Sequence, residues 1–200
     1  MVKIYQNIVE KKQAKQKSIA VLIDPDNLNP LILKDLVKLG IENAVDYFFV
    51  GGSLITNDSL NSTLTYIKSH TQIPCILFPG SVYQINPKAD ALLFLSLISG
   101  RNPDLLIGQH VIAAPLVKQS GLEVLPTGYI LVDSGVPTTA SYISHSMPIP
   151  HNKPSIGAVT AMAGEMLGLK LIFLDAGSGA QNPVSGAMIQ ATSAVIDCPL

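Results

Sequence analysis

Apolar residues in this chain come in short unbroken runs, and the runs end on carboxylates or glycine-rich turns. Ile19-Ala20-Val21-Leu22-Ile23 leads straight into Asp24-Pro25-Asp26. Tyr47-Phe48-Phe49-Val50 is followed by Gly51-Gly52-Ser53. Leu171-Ile172-Phe173-Leu174 is followed by Asp175-Ala176-Gly177-Ser178-Gly179. Runs that are apolar throughout, without alternation, suit strands of a parallel sheet covered on both faces. Stretches with helical spacing lie between them. The pattern predicts helices over residues 3–17, 30–39, 58–70, 104–120, 155–167 and 183–195, the second closed by Gly40. It predicts strands over 18–23, 47–50, 74–78, 89–96, 122–132 and 170–175, the fifth interrupted by Pro126.

Strand–helix units recurring every thirty residues or so, at roughly even spacing, predict an α/β fold of the TIM-like (β/α) barrel type. The expected organisation is a single barrel domain over residues 1–200. Gly, Ser, Asp and Pro collect where the strands end, the face on which such barrels keep their sites. The chain stops at Cys198-Pro199-Leu200, where a seventh strand is expected. The barrel is therefore read as lacking its last two strand–helix units.

Composition narrows the function. Only 14% of residues are charged and the net charge is −1, so the chain as a whole is no nucleic-acid binder. Lys3, Lys11, Lys12, Lys15 and Lys17 crowd the first seventeen residues against a single acid, Glu10. That run reads as the solvated face of a helix, or as a peripheral contact with anionic lipid. Cys75 and Cys198 lie far apart with no zinc-type spacing, which suits a reducing cytoplasm. No secretory leader pattern opens the sequence. The longest stretch without Asp, Glu, Lys or Arg, residues 176–196, is too rich in Gly, Ser, Gln and Pro for a membrane span. A mean hydropathy of +0.37 then fits buried strands or an apolar groove.

Two strand ends carry candidate chemistry. Asp24 and Asp26 flank a proline that fixes the turn; one of them ligates Mg²⁺, or both merely cap the turn. Gly51-Gly52-Ser53 offers backbone N–H groups and a hydroxyl to the same metal-bound diphosphate, or is an ordinary turn with Ser53 as a helix cap. Asp175 precedes a Gly-Ser-Gly turn whose N–H groups form an anion-binding concavity. A carboxylate there can orient or deprotonate a substrate hydroxyl while the turn holds a phosphate. His110 lies in an apolar helical stretch and reads as a core residue. His145 and His151 fall in the uncharged loop over residues 134–152, long enough to be a lid or substrate loop.

Several segments together resemble one family. They are Ile23-Asp24-Pro25-Asp26, Val50-Gly51-Gly52-Ser53, Leu77-Phe78-Pro79-Gly80-Ser81, Ser99-Gly100-Arg101-Asn102-Pro103 and Pro126-Thr127-Gly128-Tyr129. Pro148-Ile149-Pro150, Ala163-Gly164-Glu165-Met166-Leu167-Gly168 and the stretch from Phe173 to Ala180 complete the pattern. The chain resembles the geranylgeranylglyceryl phosphate synthases, in the bacterial branch that includes heptaprenylglyceryl phosphate synthase. The resemblance implies transfer of a prenyl group from a polyprenyl diphosphate, geranylgeranyl diphosphate first among them, to the hydroxyl of sn-glycerol 1-phosphate. It implies Mg²⁺ at Asp24 and Ser53, and catalytic roles for Asp24 and Asp175. It places sn-glycerol 1-phosphate on Phe173, Leu174, Asp175, Ala176, Gly177, Ser178 and Gly179. It also implies a homo-oligomer.

The family's Tyr-x-Glu before Gly-Ser-Gly is Phe173 and Asp175 here, and a lysine found two residues before Asp24 in some members is Leu22. Family members also continue beyond the position of Leu200 into a further glycine-rich strand end. Leu92, Phe94, Leu97 and Tyr129 are candidates to line a prenyl groove. Two other readings of the residues stand beside this one: a phosphate-binding barrel isomerase or lyase, and a non-catalytic fragment that binds phosphate or lipid.

Overall fold

The computed structural model describes residues 3–57 and 59–200, so Asp58, where the third predicted helix begins, lies outside the described residues. Six strands form one sheet: β1 (Ala20–Ile23), β2 (Tyr47–Val50), β3 (Cys75–Leu77), β4 (Ala91–Leu97), β5 (Glu123–Leu131) and β6 (Leu171–Asp175). They follow one another across the sheet in sequence order. The pairings β1–β2, β2–β3, β3–β4 and β5–β6 are all parallel. Sequential order separates a (β/α) barrel from a doubly wound sheet, whose order reverses at a switch point. The helices are α1 (Ile4–Gln13), α2 (Pro30–Glu42), α3 (Leu60–His70), α4 (Gln109–Ser120), α5 (Thr139–Ser144), α6 (Pro154–Met166) and α7 (Gly186–Ser193). The chain packs as two compact units, Met1–Leu93 with Ala113–Val124, and Phe94–Ile112 with Leu125–Leu200.

In the first unit, Ile23, Phe48, Val50, Ile76 and Leu77 of the strands and Leu64 and Ile67 of α3 are almost wholly buried, whereas Ala20 and Leu22 of β1 are exposed, so the expected cover on both faces does not extend to that strand. The Glu123 carboxylate accepts the N–H groups of Ile4 and Tyr5 at 2.7 and 2.9 Å and so caps the start of α1. Lys11 pairs with Asp46, which also accepts the Ile19 N–H at 2.8 Å. These contacts engage part of the basic run in holding α1 against the unit. α1 ends at Gln13, four residues short of the prediction. Lys15 turns left-handed, with Gln16 N–H on Lys11 O and Lys15 N–H on Lys12 O, a Schellman stop built without glycine. α2 runs through Gly40 to Glu42 instead of ending there. A Cβ on Gly40 would come within 2.4 Å of Phe48 Cζ, so this glycine makes room for a buried ring and is no terminator.

In the second unit, Ile98, Ile130, Val132, Ile149, Ala161, Ile172, Met188 and Ile196 form one apolar core. Gly157 lets α6 approach α7: a Cβ there would lie 2.3 Å from Met188 Sδ. β5 passes through Pro126 without interruption. Proline lacks a donor but keeps its acceptor, and Pro126 O takes the Lys170 N–H at 2.8 Å. The predicted helix over 104–120 is a wide π-turn at Asp104–Gly108 followed by α4. The loop over 134–152 contains α5, started by a capping box of Thr138 and Ser141.

Candidate active site

Asp24 is the residue after β1, half-buried, with Oδ1 accepting the Asp26 N–H at 3.0 Å. Asp26 is occupied otherwise. It accepts Thr56 N–H at 2.6 Å, Thr56 Oγ1–H at 2.7 Å and Asn57 N–H at 3.2 Å. The Thr56 hydroxyl, ahead of the two backbone donors, holds its carboxyl below the ordinary carboxylate range. Asp26 thus anchors the loop after β2, and the two carboxylates that the sequence left equivalent part into a loop anchor and a candidate ligand.

That loop is fitted closely around Asp24. Gly51 has φ +145° and sits where a Cβ would strike Phe78 O at 2.2 Å, so only glycine passes there. Its N–H is used by the sheet, on Ile23 O at 3.1 Å. Gly52 lies over the Asp24 carboxylate: a Cβ on it would stand 3.5 Å from Oδ1. The missing side chain therefore leaves a small cradle above the carboxylate. Buried Gln84 fixes the arrangement, accepting Gly80 N–H at 3.1 Å and donating to Gly52 O at 3.0 Å. Among the described residues, no group of three or more His, Cys, Asp or Glu is placed to hold a metal. One carboxylate, a serine hydroxyl and substrate phosphates are a donor set that suits Mg²⁺, which takes oxygen ligands and few of them from protein.

Asp175 ends β6 in the second unit. Its Oδ1 accepts the Gly177 N–H at 2.7 Å and its Oδ2 the Tyr129 hydroxyl at 2.5 Å. Tyr129 stands on β5 in register with Phe173, and Leu131 in register with Asp175. Burial, then the charge of Asp175, drives the Tyr129 pKa far above its usual value, so the phenol is a permanent donor. Gly177 and Gly179 are left-handed, with φ +85° and +75°. A Cβ on Gly177 would lie 2.7 Å from Thr138 Oγ1, so the turn is seated on the first residue of the α5 cap. The Gly177 N–H is turned back onto Asp175, and the Ala180 N–H donates to Gly177 O at 3.2 Å, closing the turn. Asn182 N–H donates to Ser134 O at 2.9 Å and closes the loop from the other side.

Sequence reading missed Tyr129 as a partner of Asp175, Gln84 as a staple and Thr56 as the anchor of Asp26. The four groove candidates do not share one surface. Leu92 and Leu97 are buried, and alternation along β4 puts them on opposite faces. Phe94 packs edge-on against His110 at 4.6 Å, and Tyr129 belongs to Asp175. His110 is buried as expected, with Nε2 3.1 Å from Ser96 Oγ, while Nδ1 has no hydrogen-bond partner. Cys75 is buried and its thiol is pushed up to about 12, so it is no nucleophile.

The PcrB family pattern matches residues 10–198. The geranylgeranylglyceryl phosphate synthase of Chitinophaga pinensis is 52% identical over 198 residues, covering 99% of this chain and 79% of that one. The enzyme of the same name from Spirosoma linguale is 54% identical over 189 residues, covering 94% and 76%. Among solved structures, (S)-3-O-geranylgeranylglyceryl phosphate synthase from Thermoplasma acidophilum, in complex with its substrate sn-glycerol-1-phosphate, superposes with a TM-score of 0.92 at 26% identity. That match covers all of this chain and 80% of the other. The fold is accordingly the TIM-like (β/α) barrel of these synthases, present here through its sixth strand–helix unit. With its acid-tipped strands and its pattern matched almost from end to end, the chain belongs to the PcrB family and, within it, to the geranylgeranylglyceryl phosphate synthases.

Proposed function

We propose that this chain is a magnesium-dependent prenyltransferase that joins the geranylgeranyl group of geranylgeranyl diphosphate to sn-glycerol 1-phosphate and releases diphosphate. The observation that carries this reading is the Asp175 carboxylate, held between the Tyr129 hydroxyl and the Gly177 N–H at the mouth of a left-handed Gly-Ser-Gly turn. Such a carboxylate orients a hydroxyl while the turn's remaining N–H groups take the phosphate of the same small molecule. Phe173, Leu174 and Ala176 shape the strand end that presents it. Asp175 accepts the proton as the glycerol oxygen bonds to the allylic carbon. The bond from that carbon to diphosphate breaks, and the electron pair leaves with the diphosphate.

Asp24, with the Ser53 hydroxyl, would hold the Mg²⁺ in the space that Gly52 leaves open. A bound Mg²⁺ neutralises charge that develops on the departing diphosphate. No helix among the described residues is long and apolar enough to cross a membrane. The free thiols of Cys75 and Cys198 support a cytoplasmic location, and a homo-oligomer is the assembly we expect.

The test is mass spectrometry of products from sn-glycerol 1-phosphate offered with prenyl diphosphates of graded length, with Mg²⁺ and with chelator. Geranylgeranylglyceryl phosphate should dominate, and chelator should stop its formation. No ether product from any donor would remove the proposed reaction. Undiminished turnover in chelator would remove the metal.

A further inference from the structure

Arg101 is the only arginine of the chain, among thirteen Lys and Arg residues. It lies in the short segment between the end of β4 and the π-turn at Asp104–Gly108, and is exposed. Its Nη1 donates to Ile98 O at 3.1 Å and Gly100 O at 2.8 Å, both on its own turn. Among the described residues no carboxylate lies within ion-pair distance of it. One edge of the guanidinium is thus fixed by backbone, and Nη2 and Nε keep three of its five N–H donors.

The turn that carries Arg101 is bonded to the strand beside Asp175. Ser99 Oγ accepts the Leu131 N–H at 2.9 Å, and Leu131 stands in register beside Asp175. Asn102 Nδ2 donates to Ser144 O at 3.2 Å. A Cβ on Gly100 would lie 2.6 Å from Ser146 Oγ, so the turn is also packed from that side. Arg101 therefore lies two residues after Ser99, whose hydroxyl oxygen holds the strand neighbour of Asp175, so its turn borders the strand end that carries that carboxylate.

We propose that Arg101 grips the diphosphate of the prenyl donor and takes up its charge as the carbon–oxygen bond breaks. The inference rests on the prenyltransferase reading but names a residue that reading does not use. Arginine suits the task because its fork meets phosphate oxygens in pairs and stays charged at every working pH. The competing role is purely local, a guanidinium that merely ties its own turn together.

The experiment compares wild type, Arg101→Gln and Arg101→Lys in two measurements on the full chain with Mg²⁺. One is binding of inorganic pyrophosphate by calorimetry. The other is steady-state transfer with each substrate varied in turn. Arg101→Gln should weaken pyrophosphate binding about tenfold or more, lower kcat by a larger factor, and leave KM for glycerol phosphate within about twofold. Arg101→Lys should recover part of the pyrophosphate binding. Arg101→Gln that binds pyrophosphate as wild type does, whatever its melting temperature, overturns the proposal, and so does a wild-type protein that binds none. A wild type that binds pyrophosphate through Arg101 yet transfers no prenyl group would count against the transferase reading alone.

Discussion

Each oxygen of Asp175 accepts one hydrogen bond from this chain, and a carboxylate has room for about four. Two sites remain for a substrate hydroxyl, and the two bonds already made fix the plane of the group. Phe173, standing where the family pattern has a tyrosine, offers no oxygen, so the phenol that steadies Asp175 is Tyr129 on the adjacent strand. Tyr129→Phe keeps the ring and its tilted contact with Phe173 at 6.1 Å and deletes only that donor. We expect kcat to fall by about ten- to a hundredfold with the fold intact, because slight misplacement of a reacting group is costly. Asp175→Asn should cost more, since under the proposed reaction it removes the proton acceptor as well. Steady-state kinetics with circular dichroism as control checks both, and an unchanged kcat in Tyr129→Phe would leave Tyr129 a packing residue. The permanent protonation of the phenol adds a second expectation: the alkaline side of the pH–rate profile should carry no step that Tyr129→Phe abolishes.

At the scale of elements, the turns after β2 and β3 are joined by one buried side chain. Gln84→Ala would remove the buried amide that bonds the Gly80 N–H and the Gly52 carbonyl, two groups on partly exposed turns, at about 1 kcal/mol for each bond lost. We predict a lower melting temperature together with a higher Mg²⁺ concentration for half-maximal activity, because Gly52 forms the cradle over Asp24. A loss of stability with an unchanged Mg²⁺ titration would uncouple the two.

The strands were legible because uniformly apolar runs carry their own signal, and the acid tips were legible because Asp24 and Asp175 interrupt those runs. Gln84 was not: a glutamine after a Pro-Gly turn looks solvated until the fold brings Gly52 to it from 32 positions away. Tyr129 meets Asp175 across 46 positions, a pairing set by β5–β6 register and by nothing local. Gly40 carries the same local signal whether it stops a helix or admits a ring, and only Phe48 decides. The α5 start was hidden because its capping box uses Ser141 where glutamate or glutamine is the usual cue.

Across the molecule, five carboxylates beside strand ends fall into two kinds. Asp46, Asp90 and Glu123 lie before or at the start of strands and are tied to Lys11, to Lys68 with the Cys75 N–H, and to the first turn of α1. Asp24 and Asp175 end strands, where barrels keep their chemistry. Asp46 and buried His110 both contribute to how the molecule meets acid. Burial holds His110 below its ordinary 6.5, and Phe94 and Ser96 are its neighbours from β4. The unfolded chain therefore binds this proton first, and stability must fall as pH drops below 6.5 toward the folded value.

Asp46 opposes burial with the Lys11 hydrogen bond, the Ile19 N–H and the Lys11 charge, and the net result lies below its ordinary 3.8. Its contribution is complete above 3.8 and is lost as pH falls further, through the folded value. Acid should thus weaken the fold in two successive windows. Melting temperature measured against pH should show the upper decline flattened in His110→Gln and the lower one flattened in Lys11→Met. Removing the Lys11 cation leaves Asp46 nearer its unfolded value, so the second variant begins less stable at neutral pH and has less to lose in acid. An upper decline of undiminished slope in His110→Gln would assign that proton to another group.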